Sequence, residues 1–215
     1  MNRRKALKNM GMALGYTVAT PTLISIAQSC KKETALEWTP DFFSKDEGAA
    51  LTKLVDIIIP KTDTPAASAT QVHLFIDRFA DQVMETDQQD FLKMSMDRFL
   101  EKALNDSGKE KAGELTMEEL EPVLATSLKI TKEDQAKYFD SITQYHEAVA
   151  EGKEPQLEEG VSRFAFANNL RGLTILGYKT SEYVGEKVLA YLPVPGEYIP
   201  CADAQELTGG KAWSL

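Results

Sequence analysis

Ser44-Lys45-Asp46-Glu47-Gly48-Ala49-Ala50-Leu51-Thr52-Lys53-Leu54-Val55-Asp56-Ile57-Ile58-Ile59-Pro60 is the stretch on which the fold turns. Ser44 stands three residues before Glu47, the spacing at which a hydroxyl and a carboxylate each satisfy a free amide at a helix start. From Ala50 onward, Leu51, Leu54, Val55, Ile58 and Ile59 recur at helical spacing and so share one face. Pro60 stops the run, because its ring lacks the amide and clashes with the preceding turn. A capped helix with one apolar face has to bury that face against other elements.

The same pattern recurs downstream. Val72, Phe75, Ile76, Phe79, Ala80 and Val83 predict a second amphipathic helix, and Phe91, Leu92, Met94, Ser95, Phe99 and Ala103 a third that ends before Ser107-Gly108. Thr116 with Glu119 repeats the capping spacing for a fourth helix through Leu128, with Pro122 expected early in it. Thr131 opens a fifth, with Ala136, Phe139, Ile142, Tyr145 and Val149 expected on one face. Gly152 to Pro155 reads as a linker. Phe164, Ala167, Leu170, Leu173, Thr174 and Tyr178 then make a sixth helix, the most apolar and the most buried of the set. No convincing strand alternation is found, so the expected fold is all-α: a single domain of about six helices over residues 45–190. Between the first two helices, Lys61-Thr62-Asp63-Thr64-Pro65 is a loop whose hydroxyls and carboxylate can bond nearby backbone, with Thr64 held extended by Pro65.

Upstream lies an address. Residues 1–29 hold Arg3, Arg4, Lys5 and Lys8 and no acid, then a mildly apolar run from Met10 to Ala27, then Ser29-Cys30. A basic start, an apolar middle and a small residue before the break make an export signal. Gly11, Gly15 and Pro21 make that run a poor permanent span. Asn2-Arg3-Arg4-Lys5-Ala6-Leu7-Lys8 looks like a twin-arginine signal, with Ala6 where Phe is common. Ala27-Gln28-Ser29-Cys30 looks like a weak lipobox that would acylate Cys30. A general secretory peptide with an incidental arginine pair and cysteine is the alternative. Residues 30–44 read as a tether.

Residues 191–215 differ in kind. Pro193, Pro195 and Pro200 exclude a helix interior across the start of the segment. Tyr191, Tyr198 and Trp213 make it unlike a polar tail. It is read as an extended arm that packs either on its own helices or over another subunit.

Composition narrows the function. Of 215 residues 33 are acidic and 24 basic, a net charge of −9; without the leader, 20 basic residues face 33 acidic ones, a net −13. That balance argues against an electrostatic nucleic-acid binder. Two cysteines exclude a disulfide scaffold, and two histidines leave little for a histidine-rich metal site. Neither a GxGxxG after a strand, a GxxxxGK[ST], a CxxCH nor an HExxH occurs.

The remaining chemistry is sparse. His73 precedes Asp77 by four residues, so the two can share a helix face as an acid–base pair, with Asp63 a third candidate; a helix-start histidine bonded to a loop group is the plainer reading. His146 reads as a solvated residue. Cys201 has no local base to activate it, and Glu118-Glu119 and Glu158-Glu159 read as solvated faces. Arg171, inside Asn168-Asn169-Leu170-Arg171-Gly172, either finds an internal partner, lies on the exposed side of its helix, or docks on a second protein. No catalytic constellation emerges.

Three strings together resemble the gluconate 2-dehydrogenase subunit 3 family: Asp56 to Pro65, Leu170 to Ser181, and Pro195 to Cys201 followed by Gly210-Lys211-Ala212-Trp213-Ser214. Ala66 departs from a Gly common there. The resemblance implies a non-catalytic small subunit with no cofactor of its own. Its partner would be a large glucose–methanol–choline (GMC) type flavoprotein that holds FAD and oxidises a sugar, sugar acid or polyol, with a cytochrome c often taking the electrons. The small subunit would assist export, assembly and stability of the flavoprotein in the periplasm, anchored there if Cys30 carries a lipid. On this reading docking falls to Thr62, Asp63, Thr64 and Pro65, to Asn169, Arg171 and Tyr178, and to Pro195, Gly196, Tyr198 and Trp213. A free-standing periplasmic helical lipoprotein that binds a ligand or envelope component is the alternative, and a cryptic enzyme built on His73 a third.

Overall fold

The structure, a computed structural model, describes residues 38–192, 194, 196 and 201–214. The leader, Cys30, the first part of the tether, Pro195 and Tyr198 lie outside the described residues.

Six long helices carry the body: α1 Lys45–Ile58, α2 Val72–Gln82, α3 Thr86–Ser107, α4 Met117–Leu128, α5 Lys132–Ala150 and α6 Glu159–Lys179. No strand occurs among the described residues. The two capping boxes form as the spacing predicts. Ser44 accepts from the Glu47 amide while the Glu47 carboxylate accepts from the Ser44 amide at 2.8 Å, and Thr116 pairs with Glu119 in the same way. Gly108 closes α3 at φ +68°, a left-handed position that suits glycine. Pro122 stands sixth in α4, past the first turn, so the Glu118 carbonyl loses its intrahelical donor.

Helix α6 runs through the middle and packs against α1, α2, α3, α4 and α5. Phe164, Phe166, Ala167 and Leu170 on it are buried. Phe166 meets Phe99 of α3 at a ring distance of 5.0 Å, and Leu51, Leu54 and Val55 of α1 close the same core. This is the burial that the apolar composition of the sixth helix predicts.

Helix α5 departs from expectation. None of its residues is buried, and Ala136 and Phe139, placed on a core face by periodicity, are exposed, Phe139 by 43%. The helix touches the body through Tyr138 and Phe139, whose rings meet Phe164 edge to face at 5.5 and 5.4 Å, and through Tyr145 and His146 against Phe91. Val83 is a second correction: it caps the end of α2 and is 61% exposed.

The C-terminal segment is not extended throughout. After a π-helical turn at Val184–Val188 comes a short helix, α7, at Ala204–Thr208, capped by Asp203, whose carboxylate accepts from the Gln205 and Glu206 amides. The chain then returns on itself. The Ala190 amide donates to the Ala212 carbonyl and the Ser214 amide to the Ala190 carbonyl, both at 2.9 Å, making a parallel bridge between Ala190 and Trp213.

Candidate functional site

The segment before α1 is held by one carboxylate. Asp77 on α2, 1% exposed, accepts from three backbone amides: Asp41 at 2.7 Å, and Phe42 and Phe43 at 3.1 Å each. Three donors satisfy a buried charge that would otherwise be costly. They also leave Asp77 committed to the backbone, and no hydrogen bond joins it to His73. The His73 ring lies against Trp38 at 5.2 Å, and its buried Nδ1 has no hydrogen-bond partner among the described residues. Burial pulls the imidazole below its ordinary pKa, against the opposing charges of Asp56 and Asp77. The structure therefore matches neither the acid–base pair nor the histidine bonded to a loop group.

The loop after α1 is fastened at both ends. Asp56 accepts from the Ser68 amide at 2.7 Å and its hydroxyl at 2.6 Å. Tyr178 near the end of α6 donates its hydroxyl to the Pro65 carbonyl at 2.8 Å. Thr62 and Thr64 bond to one another across the turn. Five of the residues expected to dock, Thr62, Asp63, Thr64, Pro65 and Tyr178, thus come together, although 113 positions separate Pro65 from Tyr178.

The others lie elsewhere. Arg171 is exposed and donates to the Asn168 side chain at 2.8 Å, so it lies on the exposed side of its helix and needs no buried carboxylate; Asn169 is half-buried. Ile175 and Leu176 continue the exposed side, 45% and 42% accessible. Gly196 and Trp213 are exposed in the C-terminal loop, where Tyr191, Leu192, Val194 and Leu207 also reach solvent. Cys201 is exposed and forms no disulfide among the described residues.

A feature that periodicity did not single out lies along α2. An open groove of about 650 Å³ runs between α2 and the C-terminal end of α6. Gly177 sets its depth: a Cβ there would stand 2.6 Å from the Phe75 ring, so only bare backbone lets the two helices approach so closely. At the groove's end Gln71 adopts a left-handed conformation at φ +62°, an uncommon one for a non-glycine residue. Among the described residues no group of three or more His, Cys, Asp or Glu can hold a metal ion, and no helix is long and apolar enough to cross a membrane.

A family model described as gluconate 2-dehydrogenase subunit 3 matches residues 45–196, from the first residue of α1 to Gly196. The chain belongs to the gluconate 2-dehydrogenase subunit 3 family. No curated protein and no solved structure matches it. The matched region takes in the loop at Thr62–Pro65, the groove and Arg171; Trp213 and the closing Lys211-Ala212-Trp213-Ser214 lie beyond it. In this family member the Asp77 clamp escaped sequence reading because its partners are backbone amides 34 to 36 positions away. The meeting of the Asp56–Pro65 and Leu170–Ser181 strings, through the Tyr178 hydroxyl on the Pro65 carbonyl, has no signal in either string by itself.

Proposed function

We propose that this subunit 3 family member is the non-catalytic small subunit of an exported, flavin-dependent sugar, sugar-acid or polyol dehydrogenase, and that it binds a GMC-type FAD-containing large subunit. The observation that carries the reading is the family match across the helical body. It is supported by a body whose loop at Thr62–Pro65 is tied to α6 through Tyr178, and by a C-terminal segment whose Tyr191 and Trp213 are left exposed. Apolar side chains held at a surface serve association better than catalysis. Export through the twin-arginine pathway follows from Arg3-Arg4, and a lipid on Cys30 would hold the complex at the membrane face of the periplasm.

The test is purification of the full chain, carrying a tag after Leu215, from its native membrane fraction. A yellow complex with a large companion, a flavin absorbance spectrum and dye reduction in a panel of sugars is the expected result. A colourless single band, together with unchanged sugar oxidation when the gene is deleted, would overturn the reading in favour of a free-standing lipoprotein.

A further inference from the structure

The amphipathic pattern of α2 accounts for only one of its sides. Val72, Ile76 and Ala80 point into the core and are fully buried or nearly so. Leu74, Phe75 and Phe79, all half-buried, form the floor of the groove against α6, with Phe75 and Phe79 also packed against the core. Val83 rims it at one end, and Tyr183, 53% exposed, stands on the opposite wall. Core packing does not account for Leu74, Val83 and Tyr183, which stand outside the core and leave apolar surface open in the groove.

Length and charge say what fits. From Gln71 to Val83 the groove follows α2 for about 18 Å, roughly three helical turns, the span over which a docked helix places apolar anchors at i, i+3 or i+4 and i+7. Arg78 projects from the middle of this stretch, exposed. Among the described residues it joins no ion pair, not even with Glu182 across the groove. An unpaired guanidinium over an apolar floor, in a chain of net charge −9, selects a carboxylate between apolar side chains, which its planar fork can grip with two hydrogen bonds.

We infer that the α2–α6 groove receives an amphipathic helix of the flavoprotein subunit, with a carboxylate of that helix set on Arg78. The inference rests on the subunit role proposed above and adds the surface and the chemistry of the contact. Among the described residues Arg78 has no ion-pair partner to lose, so its variants should fold as the parent does.

The experiment uses the full chain co-expressed with its flavoprotein, with a photo-crosslinking residue in place of Val83 or Tyr183, and in place of Thr143 on α5 as the control. Crosslinks to the flavoprotein should come from positions 83 and 183 and not from 143. Peptide mass spectrometry should find the attached segment to hold an Asp or Glu within one turn of two apolar residues. Arg78→Glu should weaken association of the purified chains about tenfold, and Arg78→Lys, which keeps the charge but loses the fork, by a smaller but measurable factor, with the melting temperature unchanged in both. If the complex forms, but Arg78→Glu binds as the parent does and positions 83 and 183 crosslink no better than 143, the groove assignment is overturned and the subunit role stands. If no flavoprotein associates with the parent chain, both fall together.

Discussion

Asp77 illustrates how much one side chain can hold. Its two oxygens gather three amides of a segment with no regular hydrogen-bonding partner of its own. Asp77→Asn keeps one acceptor but turns an N–H toward a donor, so at least one of the three amides is left unpaired. Hydrogen bonds to a charged group are the stronger kind, and a loss of about 2–4 kcal/mol is expected, read from urea unfolding. His73 beside it makes a prediction about pH. Burial holds its imidazole below the ordinary 6.5, so the unfolded chain takes up a proton at higher pH than the folded one. Its contribution to stability is complete above about pH 6.5 and is lost as pH falls through the folded pKa. Melting curves at pH 7.5, 6.5 and 5.5 should show the parent losing more stability than His73→Gln. Parallel curves for the two would refute the assignment. Other groups, such as Asp97, whose carboxyl burial pushes up, titrate alike in both proteins and cancel in the comparison.

Among the helices, those with local signals were legible and those with distant causes were not. Ser44 and Thr116 declare their helices because a cap and its glutamate are three residues apart. Gly108 and Pro60 end helices for reasons of backbone geometry alone. The face of α5 was misjudged because periodicity reports that a helix has an apolar side, but not whether anything covers it. With no buried residue, α5 should exchange its amide hydrogens far faster than α3 or α6; equal protection in a native-state exchange experiment would contradict this. The sequence was equally silent about Gly177, whose role depends on Phe75 approaching from another helix. Gly177→Ala places a methyl carbon within 3 Å of that ring and should cost about 1–3 kcal/mol, pushing Phe75 into the groove and weakening whatever binds there. A variant as stable as the parent would mean that the ring has room to move.

At the scale of the whole molecule, function separates from stability. Among the described residues the buried core is built from the helical body, and none beyond Gly185 is buried. A chain ended after Leu189 should therefore melt within about 2–4 °C of the parent, while its recovery of flavoprotein falls severalfold, as pull-down densitometry would measure. A large fall in melting temperature would instead make the tail part of the fold. The tail could be read in sequence as proline-broken and aromatic. Its closure could not, because the bond between Ala190 and the strip ending in Ser214 joins positions with no shared pattern. That closure has a thermodynamic consequence. Tying Ala190 to Trp213 confines more than twenty residues between fixed ends, an entropy loss on the order of 3 kcal/mol for a flexible loop of that length. Folding of the free subunit has already met that loss. A protein that clasps the loop recruits a pre-shaped handle, and spends correspondingly less of its contact energy on restraining a loose string.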